Sequence, residues 1–447
     1  MIKKTFKLFS TLQQGQTETY DIIISGCGPV GLSFACALSN SMYFKNQKAK
    51  ILMLDSQKLE ENLTDIPHQR VYSINYSSQN FLQSIGAWDH LDKKRLGHTK
   101  QMQVWEEKGQ SYIKFKHQGS PNDDDNKLGT LIENNNIILS LLKRIRELNT
   151  IEFSIPDQIE CLEDDENSNL QIVKLKSGRK MFSKLVVGSD GRNSVVKEQK
   201  KIGTYGWMYN QMGIVCTIKT SKSEKNTAYQ RYFINGSSLA ILPLWDGYSS
   251  IVYSVPLYQY EELIKQSDND FLNTLNFALS KQSNLQTPTF NFNDQSFVPP
   301  PFVTQIINKR LAFPLAQLQS GRYIARNIAL IGDAAHSIHP HGGQGLNNGF
   351  NDAISLSNCV IRNFRAGHFI GDLMSLQEYE SEAKVFNYFN GISMEVLKKL
   401  YEVDVAGFAM VRNFGANLLN NCNFIKNNIQ KIAGQNPFAP QKYEWID

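Results

Sequence analysis

DIIISGCGPVG, residues 21–31, sets an apolar strand directly against the pattern Gly-x-Gly-x-x-Gly at Gly26, Gly28 and Gly31. Leu32, Phe34, Ala35 and Leu38 then follow a helical spacing, and a second apolar run, Ile51-Leu-Met-Leu54, ends in Asp55. Strand, glycine turn, helix, second strand and terminal acid is the order a dinucleotide-binding unit requires. Gly26 makes the turn, Gly28 admits a pyrophosphate, Gly31 lets helix and sheet pack closely, and Asp55 is placed to accept ribose hydroxyls. The glycine pattern alone is weak. In this context it predicts an α/β, Rossmann-like domain that binds a dinucleotide, without separating FAD from NAD.

Moving outward, Lys184-Leu-Val-Val-Gly188-Ser-Asp190-Gly191-Arg-Asn-Ser194-Val-Val reads as another buried strand followed by the start of a helix. On this stretch alone, Asp190 has two readings, ligand contact or plain helix cap. Further on, IALIGDAAHSIHPHGGQGLNNGFND (residues 328–352) reads as strand, tight loop and helix start. Its glycines allow close backbone approach, and the helix N-terminus offers unpaired N–H groups to an electron-rich ligand. Asp333, after Gly332 at the strand's end, is placed to hold a sugar or polyol.

Between these motifs, Arg70 opens a loop followed by a helix capped by Ser or Asn. Residues 101–107 and 111–116 read as a β-hairpin, residues 137–148 as a helix, and residues 159–176 as a second hairpin. The runs 213–220, 228–234, 238–245 and 249–255 predict an antiparallel sheet in a second domain, which the 101–116 hairpin joins. Val298-Pro-Pro-Pro-Phe302 reads as a rigid connector back to the first domain. The expected division is therefore 20–100, 117–204 and 311–400 for the dinucleotide-binding domain, 101–116 and 205–310 for the sheet domain, and a helical region at 401–447. In that last region Val411, Phe414, Leu418, Cys422, Ile425, Ile429 and Ile432 repeat at a 3/4 spacing. This stripe suits either docking on its own domain or contact with a membrane surface or partner.

Composition bounds the class. The 447 residues are 41% hydrophobic and 20% charged, ordinary for a globular protein with a substantial core. A net charge of +5 without a basic block argues against nucleic acid. None of the six cysteines forms a C-x-x-C, so zinc ribbons and redox pairs are unsupported and a reducing compartment is expected. No run of ~18 apolar residues marks a transmembrane helix. Residues 1–19 carry Lys3, Lys4 and Lys7 with no acid before Glu18, which suits a mitochondrial targeting segment or a frayed basic tail. His336, His339 and His341 do not follow a zinc spacing, and no metal is expected.

Taken in order, GCGPVG, GSDGRNSVV and IGDAAH…HP…GQGLNNGFND resemble the class A flavoprotein aromatic monooxygenases, built like p-hydroxybenzoate hydroxylase. Within that class RVYSINYSSQNFLQSIGAWD, MQVWEEKGQSYIKF, LGTLIENNNI, PLWDGYSSIVYSVP and VRNFGANLLNNCNFIKNNIQKIAG are similar to the ubiquinone-biosynthesis hydroxylases of mitochondria, whose eukaryotic branch acts at ring C5. The resemblance implies FAD as cofactor, with Gly26, Gly28, Gly31 and Asp55 on its ADP half and Arg70 near the ribityl phosphate. It places Asp190 and Gly191 near the pyrophosphate and Gly332-Asp333 on the ribityl chain. Pro340 and the backbone of Gly343, Gln344, Gly345, Leu346 and Asn347 would flank the isoalloxazine ring, with His336, Pro340 and Gly343 in the flavin-proximal loop.

The chemistry implied is oxygen transfer from a flavin C4a-hydroperoxide to the ring of a polyprenylated 4-hydroxybenzoate-type phenol, with dioxygen as co-substrate. No side chain is assigned as catalytic base. The expected partners are a ferredoxin-type or NAD(P)H electron donor, other quinone-biosynthesis enzymes, and the matrix side of the mitochondrial inner membrane as a peripheral contact. Departures from the family pattern are His341-Gly342 in the loop and Lys197, where arginine is commoner. Competing readings are another flavin hydroxylase or epoxidase on this fold, a flavin disulfide reductase, disfavoured by the missing cysteine pair, and a flavin-binding scaffold subunit.

Overall fold

A computed structural model describes residues 18–107, 112–116, 127–221, 226–280, 297–402 and 442–444. Its first sheet carries the parallel strands β1 (Glu18–Ser25), β2 (Ile51–Leu54), β8 (Ile151–Ser154), β11 (Lys180–Gly188) and β19 (Ile328–Leu330), in the spatial order β8-β2-β1-β11-β19. β18 (Ile324–Ala325) closes one edge, and β9 (Ile159–Asp164) and β10 (Gln171–Leu175) extend antiparallel from the first half of β11. Ile22, Ile23 and Ile24 are all fully buried, which is why β1 reads as an unbroken apolar run rather than an alternating one. Helices α1 (Pro29–Asn40), α2 (Met42–Asn46), α4 (Asn134–Leu148) and α8 (Gly345–Arg365) pack together beside this sheet.

The second sheet is built around one long strand, β12 (Thr204–Thr220). On one side lie β15 (Tyr248–Pro256), β14 (Ser238–Pro243), β13 (Thr227–Tyr232), β5 (Gln101–Glu106) and β6 (Tyr112–Lys116). On the other lie β17 (Leu311–Ser320) and β20 (His336–Ser337), while β16 (Val303–Ile306) pairs with the end of β12. Period-two alternation gives this sheet two apolar faces. Ile214, Cys216, Ile218, Leu239 and Ile251 pack in one core with Phe271, Leu275 and Leu279 of α7 (Asp268–Leu279), and with Leu263 of α6 (Leu257–Leu263). The alternate residues Val215, Ala240 and Val252 line a cavity instead.

A third sheet, β3 (Val71–Ile74), β7 (Gly129–Glu133) and β4 (Gly97–Thr99), joins the two larger ones. Glu133 fastens that junction. Its carboxylate accepts the Arg95 Nε–H and Nη2–H at 2.9 and 2.8 Å, the His68 N–H at 2.7 Å, and the Trp245 Nε1–H at 3.0 Å. Two further helices matter: α3 (Tyr76–Ser84), capped by the Asn75 side chain accepting the Ser78 N–H at 2.9 Å, and the long α9 (Leu373–Glu402). The short α5 (Val195–Gln199) follows β11. The chain end returns at Tyr443, which is buried and donates its hydroxyl to the Ala37 carbonyl at 2.6 Å.

Three sequence expectations need correction. The second sheet does not stop at residue 310, because β17 pairs with β12 from Leu311 through Ser320. Pro314 sits inside β17, opposite Met212 and next to a break in the pairing, so the run does not read as a strand. β12 starts at Thr204 rather than at residue 213, and Arg70 leads into strand β3, not only a loop. The targeting expectation and the 411–432 stripe fall outside the described residues, Glu18 and Thr19 excepted. Among the described residues no helix is long and apolar enough to cross a membrane.

Candidate functional site

The three motifs arrive together because β1, β11 and β19 are neighbours in one parallel sheet and end on the same side. After β1 the chain turns at Gly26, whose φ of +106° disfavours any side chain, and an added Cβ would lie 2.4 Å from the Ser189 carbonyl oxygen. At Gly31 an added Cβ would lie 2.2 Å from the Gly26 carbonyl oxygen. Gly28 differs: its Cβ position has nothing within 4 Å and faces a cavity. Gly28 also caps α1 without a side-chain hydrogen bond, so the first N–H groups of that helix are left for a ligand. Asp55 lies beside them, accepting the Cys27 N–H at 2.8 Å and the Gln57 N–H at 2.9 Å.

Asp190 holds the end of β11 to the helix that follows it, and leaves one oxygen at the cavity wall. Its Oδ2 accepts the Val195 N–H at 2.9 Å and the Ser25 hydroxyl at 3.3 Å, which ties α5 to the end of β1. Its Oδ1 is buried without a hydrogen-bond partner, an orphan acceptor at the cavity wall. Burial pushes the carboxyl pKa up, against hydrogen bonds from Ser194 and backbone N–H groups. Gly191, at φ +85°, has an open Cβ position like that of Gly28.

In the third motif, Gly332 turns the chain at φ +61° and Asp333 faces the cavity. The Asp333 side chain is open to that space, yet protein surrounds it, so desolvation pushes its pKa up while His336, Arg192 and Arg70 pull it down. Pro340, Gly343, Gln344, Gly345 and Leu346 also line the cavity, at the N-terminus of α8, which has no side-chain cap. Arg70 lies on the same wall.

Three expected site residues do not reach the wall. Gly31 is spent on helix–sheet packing. The Asn347 side chain accepts the Asn75 N–H at 3.1 Å and donates to the Ser73 and Gly343 carbonyls, locking the loop from behind. His336 is buried in β20, where its Nε2 meets Asp352 Oδ2 at 2.6 Å. This corrects its placement in the flavin-proximal loop: pairing of β20 with β17 turns the side chain inward. Arg192 and Ser189 also line this site, and Asp352 braces it from behind through the Gly332 N–H; no local sequence signal marks them. Among the described residues no cluster suits a metal, and Cys27, Cys36, Cys161, Cys216 and Cys359 are all free thiols.

The cavity has a volume of about 1960 Å³, against roughly 300–1,000 Å³ for a single drug-sized ligand. It continues from the three motifs to the inner face of the second sheet, where Val104, Ile113, Val215, Val252 and Leu242 meet Leu397 and Tyr401 of α9. The first half fits FAD. It has open glycine positions, an orphan carboxylate oxygen, two uncapped helix N-termini and an acid aimed inward. The second half has room for another, largely apolar molecule.

Comparison with known proteins agrees. The family described as FAD binding domain matches residues 19–386. The chain is 32% identical to the ubiquinone biosynthesis monooxygenase COQ6 of Drosophila melanogaster, over 93% of this chain and 90% of that one. Its identity to the human protein of the same name is 30%, over 94% and 93% of the two chains. The fold is shared with PqsL of Pseudomonas aeruginosa (TM-score 0.71, 19% identity, 90% and 100% coverage). It is also shared with p-nitrophenol 4-monooxygenase PnpA of Pseudomonas putida DLL-E4 (TM-score 0.71, 17% identity, 92% and 97% coverage). The protein is an FAD-dependent oxidoreductase, and the chain belongs to the ubiquinone-biosynthesis monooxygenase family.

Proposed function

We propose that the protein hydroxylates the aromatic ring, at C5, of a polyprenylated 4-hydroxybenzoate-type precursor of ubiquinone, using dioxygen. The observation that carries this reading is the continuous cavity joining the three-motif cradle to an apolar sheet face. FAD, when bound, supplies the two-electron reduction and the activation of dioxygen. The chain supplies placement and a dry site. Gly28 and Gly191 leave backbone space for the pyrophosphate, Asp55 takes ribose hydroxyls, and Asp333 takes the ribityl chain. Gly343–Leu346 offer backbone N–H groups to the electron-rich edge of the ring. Val104, Ile113, Val252 and Leu397 exclude water and accommodate the apolar tail, while Gln230, Ser238 and Ser254 offer the polar contacts on that side. No residue is assigned as a base for the phenolic proton.

The same reading places the protein in mitochondria, as the relatives' names state for them, at the matrix face of the inner membrane. Exposed Tyr205 and Trp207 on β12 and Val385, Ile392 and Val396 on α9 form an apolar surface that suits peripheral lipid contact; the Tyr205 and Tyr388 rings stack where the two elements meet. Electrons would come from a ferredoxin-type protein or NAD(P)H, and other quinone-biosynthesis enzymes are the expected neighbours.

Asp333→Ala tests the proposal. It removes charge-assisted hydrogen bonds of roughly 1.5–3 kcal/mol, so FAD should bind ~10–100-fold more weakly. A strain carrying only this variant should accumulate a precursor lacking the C5 hydroxyl. Normal ubiquinone made by flavin-free protein would instead favour the scaffold reading.

A further inference from the structure

Where the second sheet, helix α9 and the loop of residues 340–346 meet, one tyrosine of the sheet touches the other two. Between Met208 and Met212 strand β12 bulges, with Tyr209, Asn210 and Gln211 standing against Leu315 alone on β17, and Asn210 takes φ +52°. A bulge of this kind re-aims the side chains it carries. The Tyr209 hydroxyl donates to Glu395 Oε2 of α9 at 2.6 Å, and its ring meets the His339 ring edge-on, with centroids 4.8 Å apart. His339 is fully buried immediately before Pro340, and its Nε2 lies 3.4 Å from Gln211 Oε1 on the same bulge. Tyr209, His339 and Glu395 stand behind the cavity wall, while Pro340, Gly342, Met394 and Leu397 form it. An added Cβ at Gly342 would lie 3.1 Å from Met394 Sδ, so loop and helix are in contact there.

We propose that Tyr209 is a positioning residue for the hydroxylation: its hydroxyl holds α9 and its ring holds His339, so that helix and loop keep one arrangement and the apolar half of the cavity stays closed to water. The proposal rests on the hydroxylase reading and deepens it. The middle of α9 is fastened to α8, with Asn387 donating to Asp352 at 3.0 Å and Asn390 to Asn348 at 2.8 Å. Beyond that point the outer face of α9 is exposed at Ile392 and Val396, and the bond to Tyr209 holds the helix to the sheet. A phenol donating to a carboxylate makes a charge-assisted bond, stronger than a neutral one. Lys398 adds to the contact from the same helix, its Nζ 5.0 Å over the Tyr209 ring and 3.0 Å from Glu402. Closure matters because dioxygen has two fates. In hydroxylation one oxygen atom enters the ring and the other leaves as water, with two electrons from the ferredoxin-type or NAD(P)H donor and two protons from solvent. Where water reaches the site, dioxygen takes the same electrons and protons and leaves as hydrogen peroxide, and the ring is not oxidised.

Two variants test this: Tyr209→Phe keeps the ring and removes the hydroxyl, and Glu395→Ala removes the acceptor. FAD-loaded protein, reduced with stoichiometric dithionite without air, is mixed with dioxygen and a 4-hydroxybenzoate-type phenol bearing a short prenyl tail. Hydrogen peroxide per hydroxylated product should rise ~10-fold in either variant and no further in the double variant, because both remove one bond. Loss of folded protein alone would lower both products together and leave their ratio unchanged. Amide hydrogen exchange on the FAD-free protein is the second readout. It should quicken ~10-fold in residues 391–402 and stay unchanged in residues 376–387. An unchanged ratio in both variants, or exchange that quickens equally along all of α9, would overturn the proposal. If the wild type forms no hydroxylated product, the hydroxylase reading fails, and the exchange pattern alone decides the role of Tyr209. If Tyr209→Phe does not fold, Glu395→Ala carries the same test.

Discussion

The glycines of the first motif make separable demands at single positions. Gly31→Ala sets a methyl against backbone at 2.2 Å, so it should lower the melting temperature of the FAD-free protein. Gly28→Ala meets no protein atom within 4 Å. It should leave the FAD-free melting temperature nearly unchanged and remove most of the thermal shift that FAD produces. Thermal denaturation with and without FAD checks both; equal losses in the FAD-free state would contradict the assignment of Gly28 to the pyrophosphate. These glycines and Asp55 are legible in the sequence because a tight turn and a strand end constrain residue type locally. The buried pairing of His336 with Asp352 is not. Asp352 lies 16 positions on and Asn387 a further 35, and only the fold brings them together.

Among the elements, α3 shows how a local signal translates directly. The sequence offers Ser or Asn as its cap, and it is the Asn75 side-chain oxygen that accepts the Ser78 N–H. Asn75→Ala should cost ~1 kcal/mol, measured by denaturant unfolding. No change in the midpoint would show that the cap bond is not formed. Strands are less legible than helices. β1 and β19 are short, doubly buried runs that announce themselves, whereas β17 carries a proline and the first part of β12 carries glycine and exposed aromatics. Their place in the sheet comes from pairing with each other over nine register positions, a property of neither stretch alone.

At the level of the molecule, one carboxylate clamps segments that lie far apart along the chain. Glu133 joins the third sheet to the His68 loop leading to Arg70 and to Trp245 in the turn between β14 and β15 of the second sheet. Glu133→Ala strands the buried Arg95 charge and should cost about 3–5 kcal/mol. Equilibrium unfolding followed by tryptophan fluorescence checks this, and a cost under about 1 kcal/mol, as expected of an exposed pair, would contradict the clamp.

The strand order β2-β1-β11-β19 has a further consequence for how the protein is made. The cradle draws on residues 26–55, 188–191 and 332–346, so no short contiguous fragment contains it. A ribosome that has delivered the first motif must deliver about 300 more residues before the third can join it. On the proposed FAD assignment, flavin acquisition is thus a late event in the life of each chain, set by delivery of the third motif rather than by the folding of an N-terminal domain.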